Sequence, residues 1–304
     1  MHRSLFFHAA AVLAAAFAAA PLPAWGVLGH QLVAVSSLAD LPPDLAAWFA
    51  GREDILRDHA SDPDHWKHTD PLERPLHYLE CEPYGGPDQV PLDEDAARAR
   101  LGPDDFQDAG QAPWTILDRA QALAGSFASG DPDQAALDAS ILSHYVGDLS
   151  APLHTTVNRH GDRTGQYRIH KRWHVELVER MENDESWFPE ARPTGLGPRP
   201  QAAPWAWLKQ GFALVPEILA DDLAAQRANE GGEDGPFGEV YWRVFRQAQE
   251  PRVKEQLTLG AQRTAQMILL AWTWAGRPAA PSEGARGANP VKRSDRSEVH
   301  LPLI

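Results

Sequence analysis

Apolar residues recur three and four positions apart along almost the whole chain, which is the period of an amphipathic helix. Leu28, Leu32, Val35 and Leu38 follow this period. Runs in which Val, Ile or Thr alternate with polar residues are scarce, so we do not expect a sizeable sheet. The sequence therefore predicts an all-α protein with a single, mainly helical domain. The predicted helices cover 26–40, 113–127, a segment from 131 that ends at Pro152, 170–181, 205–228, 238–249 and 253–275.

The composition of the chain divides it into three regions. Residues 1–24 hold one Arg near the start, an apolar Ala-rich run and a small residue at the end, a pattern typical of a secretory signal peptide. A membrane-spanning helix is the alternative, but the run is short for a bilayer and no basic cluster follows it. We expect cleavage after Ala24, no stable membrane insertion afterwards, and a secreted or periplasmic protein. Residues 25–277 are the predicted domain, and 278–304 are predicted to be a disordered tail.

The single cysteine and the acidic charge exclude several kinds of site. Cys81 has no partner for an intrachain disulfide, and one thiol cannot build a thiolate metal site. Any bound metal must therefore use His and carboxylate ligands. The formal net charge of -14 excludes a broad basic surface that grips nucleic acid or anionic membranes.

Two histidine pairs have helical spacing. His144 and Asp148 are four residues apart, as are His170 and His174, so the members of each pair share one helix face. His154 lies between the two pairs. Each pair alone is more typical of a surface or capping interaction. Together they favour a metal site, because imidazole and carboxylate are standard zinc ligands.

Five segments occur in a recognisable order. They are WGVLGH at 25–30, ASDPD at 60–64, PLHYLE at 75–80, SHYVGD followed by PLH at 143–154, and IHKRWH at 169–174. This series resembles the superfamily that unites zinc-dependent phospholipase C with the single-strand-specific nucleases, the S-one/P-one nuclease family. The resemblance spans nearly all of 25–277 and is closest to secreted bacterial members. It implies an all-α domain of the phospholipase C/nuclease type with three zinc ions in a cleft.

The resemblance also implies a set of metal ligands. They are Trp25, His30, Asp64, His77, His144, Asp148, His154, His170 and His174. Asp64, His77 and His144 would hold one zinc ion. Asp148 would bridge that ion to a second one.

The remaining ligands complete the set that the resemblance implies. His30 would share an ion with the free amino group and carbonyl oxygen of Trp25, so that signal cleavage before Trp25 would create part of the site. His154, His170 and His174 would hold the other ion. The division of the side chains among the ions is less firmly implied than their membership of one cluster.

Two positions depart from the family pattern. Position 174 is normally acidic, and His174 binds zinc without contributing a negative charge. Lys67 lies where the nucleases have an Arg that stabilises the transition state, and lysine offers a point charge without the bidentate fork. Asp62 is a rival for the role of Asp64, which we prefer because the A-S-x-x-D pattern places the ligand there.

The resemblance implies a zinc-dependent hydrolase that acts on phosphate esters through metal-activated water, with Asp64, Lys67 and Asp148 as catalytic residues. A nuclease or 3'-nucleotidase acting on single-stranded DNA or RNA is preferred, because the first two segments match that branch more closely. One alternative is a phospholipase C that acts on phospholipid head groups. The other is a helical zinc-binding protein without catalytic activity. We expect a monomer.

Aromatic and histidine residues outside the ligand set give weaker signals. A nuclease needs an aromatic face for a base, although most Trp residues are expected in packing. The stacking candidates are Trp66, Tyr84, Trp114, Trp173 and Trp187. The histidines that fit no ligand position, and are expected at the surface or beside the ligands, are His59, His65, His68 and His160.

Overall fold

The computed structural model describes residues 25–181, 189, 195–232 and 234–281. In these ranges the chain is mostly helical and has no strand, with one isolated antiparallel bridge between Leu79 and Gly110. The prediction of an all-α fold is confirmed. The predicted signal peptide and residues 282–304 of the predicted tail lie outside the described residues.

Twelve α-helices and several shorter turns make up the described chain. The α-helices are α1 (Gly26–Ser36), α2 (Pro43–Ala46), α3 (Glu53–His59), α4 (Asp62–Trp66), α5 (Glu94–Leu101), α6 (Pro103–Ala109), α7 (Ala112–Ser129), α8 (Pro132–Ser150), α9 (Ile169–Lys171), α10 (Leu177–Met181), α11 (Ala203–Ala228) and α12 (Glu239–Trp274). A π-helical turn, Arg172–Glu176, joins α9 to α10. The 3₁₀ turns are Ser37–Asp40, Arg74–His77, Glu82–Tyr84, Pro87–Gln89, Pro152–Thr155 and Pro200–Ala202.

Helix α8 is the central helix of the bundle. Its start is fixed by Asp131, whose Oδ1 accepts a hydrogen bond from the Gln134 backbone N–H at 3.1 Å. It ends at Ser150, just before Pro152. Because α7, α12, α3 and α1 all pack against it, nearly every residue of α8 is buried. His144 and Asp148 therefore lie inside the bundle, and the alternative of a surface pair does not apply to them.

Helix α1 is present where predicted, but it buries a different face. Leu28 is half-buried and Val35 is 37% exposed, whereas Gly29, His30 and Val33 are buried. The helix lies against α8 and α12 through small residues and an imidazole. The apolar stripe therefore predicted the helix, and the close approach of its neighbours decided which face is buried.

The two predicted C-terminal helices form one continuous helix. Helix α12 runs through Pro251, which removes only one backbone donor from the helical ladder. Phe245 and Leu257, on either side of this proline, belong to the same apolar cluster. Packing of both halves on that cluster favours continuation of the helix over a break at 250–252.

None of the described helices combines the length and the apolar character that crossing a bilayer requires.

The Cys81 thiol gives a test of the packing around the 3₁₀ turns. Cys81 is fully buried, and burial raises the pKa of its thiol. We expect no reaction with Ellman's reagent at pH 8 in the folded protein, because both access and thiolate are lacking. One thiol per chain should react after unfolding in urea, which serves as the control. Stoichiometric labelling of the folded protein within minutes would contradict this packing.

Candidate metal centre

Eight of the predicted ligand side chains meet in the middle of the fold. They come from α1, α4, α8, α9, the π-helical turn and two 3₁₀ turns. Within the described residues they form three groups whose ligand atoms lie within 4.8 Å of one another. The His30 group is His30, Asp64 and His144; the His77 group is His77, His144 and Asp148; the all-histidine group is His154, His170 and His174.

Asp148 faces two sides of this cluster. Its Oδ2 lies 2.8 Å from His77 Nδ1 and 3.3 Å from His144 Nε2. Its Oδ1 lies 3.6 Å from His30 Nε2 and 3.9 Å from His154 Nε2. The two oxygens of one carboxylate are thus directed at different groups of imidazoles, which is the arrangement that a bridging ligand requires.

Asp64, on α4, faces three of the same imidazoles. Its Oδ1 lies 3.8 Å from His144 Nε2 and 3.9 Å from His77 Nδ1, and its Oδ2 lies 3.9 Å from His30 Nε2. Asp64 therefore lies near His77 and His144, but the groups divide the predicted set, because Asp64 falls with His30 and His144 whereas His77 falls with His144 and Asp148. The distances also place His30 against the same carboxylate, which the sequence did not predict.

Asp62, the rival of Asp64, lies outside the three groups. Its Oδ2 pairs with His59 Nδ1 at 2.7 Å, and both side chains are partly exposed. Of the two carboxylates, Asp64 is the one that belongs to a group of possible ligands within the described residues.

Backbone carbonyl groups orient two of the imidazoles. His144 Nδ1 lies 2.8 Å from the Ala60 carbonyl oxygen, and His154 Nδ1 lies 2.6 Å from the His77 carbonyl oxygen. Because a carbonyl oxygen only accepts, each Nδ1 must carry the hydrogen. The Nε2 lone pairs of His144 and His154 are then directed into the cluster, as metal ligation requires.

Two glycines of the sequence motifs leave room for the side chains of Trp25 and His30. A Cβ on Gly29 would lie 2.9 Å from the Trp25 Cβ, and a Cβ on Gly147 would lie 3.4 Å from His30 Nδ1. The Trp25 indole N–H donates to the Gly147 carbonyl oxygen at 2.6 Å. The Trp25 ring also lies edge-on to His174, with centroids 6.1 Å apart. Trp25 is thus fully buried against the residue before Asp148.

The segment that carries His170 and His174 is held by a buried ion pair. A plain helix was predicted here, whereas Arg172–Glu176 is a π-helical turn, a feature that recurs at functional sites. Arg172 Nη2 lies 2.8 Å from Asp222 Oδ1, and its Nε donates to the Tyr241 hydroxyl at 2.8 Å. These contacts attach the segment to α11 and α12. Sequence reasoning missed them, because they join segments far apart in the chain.

Burial keeps most of the imidazoles neutral. Burial, together with His144, lowers the pKa of His30 to about 3. Burial, reinforced by the neighbouring imidazoles, holds the pKa of His170 and of His174 well below the usual range. At neutral pH these rings carry lone pairs and no charge, which is the state that binds a cation.

The carboxylates change the balance at the centre of the cluster. Burial opposes ionisation of Asp148, but His154 and His144 hold its pKa well below the usual range. Burial would likewise lower the pKa of His144, but Asp148 and Asp64 outweigh it and raise that pKa. The cluster thus keeps a buried negative charge that attracts cations.

Many atoms of the cluster have no hydrogen-bond partner. Among the described residues, eight of its buried nitrogen and oxygen atoms have none. They are His30 Nδ1 and Nε2, Asp64 Oδ2, His77 Nε2, Asp148 Oδ1, His154 Nε2, His170 Nε2 and His174 Nδ1. An unpaired buried polar group costs about 1–3 kcal/mol, so a network of this kind is not expected as packing alone. Bound cations would satisfy the lone pairs that face the interior.

Lys67 is the cation nearest to Asp64. Its Nζ lies 2.5 Å from Asp64 Oδ1, and the side chain is mostly buried. The predicted catalytic lysine is thus beside the cluster. One ammonium group balances one of the two carboxylates and leaves the other to the imidazoles.

Glu73 is a residue of the site that sequence reasoning missed. It is 1% exposed and accepts a hydrogen bond from the Tyr145 hydroxyl. Its Oε1 lies 3.7 Å from His77 Nε2, while His77 Nδ1 faces Asp148. The Glu73–His77 contact is longer than a hydrogen bond, but a metal ion held at Nδ1 would leave the proton on Nε2, on the side that faces the Glu73 carboxylate. The signal was the four-residue spacing of Glu73 and His77, which Pro75 between them obscured.

We expect the substitution Glu73→Gln to weaken metal binding at the His77 group by about 10- to 100-fold, the usual effect of losing such a carboxylate. Competition with a chromophoric chelator measures this affinity. Asp138→Asn is the matched control, because Asp138 is also buried and accepts a hydrogen bond from Ser126, outside the three groups. Equal affinities in the two variants would show that Glu73 only fills space.

The other predicted residues take different places. His65 and His68 are exposed, His59 is partly exposed, and none of the three belongs to the three groups. His160 is half-buried, and its ring centroid lies 5.1 Å from that of His170. These positions agree with the prediction of surface histidines or neighbours of the ligands.

Most of the predicted stacking residues cannot offer a free ring face. Tyr84, Trp114 and Trp173 are buried, and Trp66 is partly buried against the apolar core. Trp187 lies outside the described residues. Tyr167, which sequence reasoning did not select, is 64% exposed and lies three residues before His170.

Two comparisons with known proteins find no relative of this chain. The scan against models of protein families finds no match, and the search of curated proteins finds no significant match.

Proposed function

We propose that the chain is a secreted tri-zinc phosphodiesterase, and that it acts as a nuclease or 3'-nucleotidase on single-stranded DNA or RNA. The observation that carries the proposal is the orientation of Asp148, whose two oxygens face different groups of buried, mainly neutral imidazoles. Such a carboxylate suits two cations close together, and adjacent metal ions are the usual catalyst of phosphodiester hydrolysis.

The donor set fits zinc. Within the described residues, the three groups offer nitrogen and oxygen ligands, eight of their atoms lack a hydrogen-bond partner, and no thiolate takes part. These are the ligands that zinc takes in catalytic sites. When bound, zinc would supply Lewis-acid stabilisation and a water of lowered pKa, so that no nucleophilic side chain is required.

The residues around the cluster have separable roles. Asp148 and Asp64 keep negative charge in the interior and hold His30, His77 and His144 in one place. Lys67 provides a positive charge at the edge of the cluster, where it can attract a phosphate oxygen. Cationic charge gathered at one site lets an acidic protein bind a phosphate without a basic surface.

The choice of a nucleic acid over a phospholipid rests on the sequence segments and on one exposed ring. Tyr167 is exposed and lies three residues before His170, the one partly exposed member of the all-histidine group. An exposed aromatic ring on the segment that leads into this group suits a base of a single strand. We therefore keep single-stranded nucleic acid as the proposed substrate and a monomeric, exported protein as the active form.

Hydrolysis of bis(p-nitrophenyl) phosphate tests the enzymatic part of the proposal. We expect activity that a chelator abolishes and that added zinc restores. A purified, zinc-loaded protein that is inert toward all phosphate esters would instead support a zinc-binding protein without catalytic activity.

A substrate panel tests the preferred class. We expect single-stranded DNA, RNA or 3'-nucleotides to be hydrolysed at least about tenfold faster than phosphatidylcholine, a difference of about 1.4 kcal/mol in transition-state binding. Faster release of phosphocholine would favour the phospholipase C alternative. Tyr167→Ala should slow the nucleic acid reactions and leave bis(p-nitrophenyl) phosphate unchanged, because that ester has no base to stack.

A further inference from the structure

The all-histidine group differs chemically from the other two groups. His154, His170 and His174 offer three imidazoles and no carboxylate, whereas the His30 and His77 groups each contain one Asp. The nearest carboxylate oxygen given by the structure is Asp148 Oδ1, 3.9 Å from His154 Nε2. That oxygen is also 3.6 Å from His30 Nε2 and is thus shared with the neighbouring group.

The three imidazoles are built to face one point. The ring centroids of His170 and His174 are 3.8 Å apart, and that of His154 lies 4.7 Å from His170. One nitrogen of each ring is buried without a hydrogen-bond partner among the described residues. Around them, the Arg172–Asp222 ion pair fixes the segment that carries two of the rings. This is a rigid site of three neutral nitrogen donors.

Donor type decides which cations such a site prefers. Imidazole suits Cu(II), Ni(II) and Zn(II), and affinity for nitrogen donors rises from Mn(II) to Cu(II), whereas carboxylate oxygens suit Mn(II). We propose that the cluster sorts divalent cations: the all-histidine group takes Cu(II) or another late transition metal first, and the carboxylate-containing part of the cluster, whose two groups share His144, retains Mn(II) or Zn(II). The cluster can then hold two kinds of metal at once. This inference rests on the proposed metal centre and does not require phosphodiesterase activity.

Electron paramagnetic resonance provides the test. The purified protein is freed of metal by a chelator, its helical content is checked by circular dichroism, and one equivalent of Cu(II) is added. We expect nitrogen coupling from three imidazoles, which the all-histidine group alone supplies without a carboxylate. Mn(II) added afterwards should bind without displacing the Cu(II). A first equivalent coupled to two imidazoles, or displacement by Mn(II), would overturn the inference.

The substitution His174→Asp tests whether the first Cu(II) ion binds at the all-histidine group. It should reduce the coupling to two imidazoles and lower the Cu(II) affinity by about tenfold or more, the scale on which even supporting residues act. His68→Asp is the matched control, because His68 is exposed and belongs to none of the groups. A wild-type spectrum in His174→Asp would contradict the assignment. If this variant does not fold, the spectrum of the wild-type protein still decides.

The outcome separates this inference from the proposed function. Phosphodiesterase activity of zinc-loaded protein without any sorting of Cu(II) and Mn(II) would remove the inference and leave the function. Sorting in a protein that hydrolyses no phosphate ester would leave the inference and remove the function.

Discussion

Replacement of Asp148 by Asn should reduce phosphodiesterase activity by about 10³-fold and release at least one zinc ion per chain. Lewis-acid stabilisation by a metal is worth several kcal/mol, and each 1.36 kcal/mol changes the rate about tenfold. Asparagine has nearly the same shape, but it lacks the charge and one of the two acceptor oxygens. Its NH₂ group would point either at His77 and His144 or at His30 and His154.

Metal analysis and thermal unfolding measure this effect independently of activity. Zinc should raise the midpoint temperature of unfolding of the wild-type protein more than that of Asp148→Asn, because a ligand that binds the folded state more tightly stabilises it more. Asp138→Asn is the control, since Asp138 is buried at a distance from the three groups. An Asp148→Asn protein with a full complement of zinc and activity within about tenfold of wild type would show that Asp148 does not join two metal positions.

Local signals predicted α1 and α8, two of the helices on which the site is built, but not the short helix α4 that carries Asp64. Helix α8 begins at the Asp131 cap and ends before Pro152, and both signals lie within a few residues of the boundaries that they set. The buried face of α1 could not be predicted in this way, because it depends on the packing of α1 against α8 and α12, which lie far away in the chain. The two separate helices predicted over 238–249 and 253–275 were wrong for the same reason, since the packing that carries α12 through Pro251 is tertiary.

The contacts of the candidate site were easier to predict when the two residues lie close together in the sequence. The spacing of His144 and Asp148 places both on one helix face, and no tertiary information is needed to see it. The union of His30 and Asp64 with that pair depends on the fold, and only the order of the sequence segments indicated it. Glu73 shows where four-residue spacing is hard to interpret. Pro75 lies between Glu73 and His77, so a helix was not expected there, but a 3₁₀ turn brings the two residues together.

A chain that begins at Trp25 should bind three zinc ions, and a chain with two additional residues before Trp25 should bind two. The amino nitrogen of a terminal residue has a lone pair, whereas a peptide nitrogen is conjugated with its carbonyl group and does not bind a metal. Trp25 lies against the cluster, since its indole donates to the Gly147 carbonyl and its ring lies edge-on to His174. Mass spectrometry under native conditions counts the ions.

Cleavage of the same extension provides the control. A protease that removes the two residues and leaves Trp25 at the terminus should restore the third zinc ion and the phosphodiesterase activity, without any change of sequence in the domain. A two-residue extension at the other end of the chain should have no effect. If the extended protein binds three ions, His30 holds its cation without the terminal amine. Cleavage before Trp25 would then have no part in the metal centre.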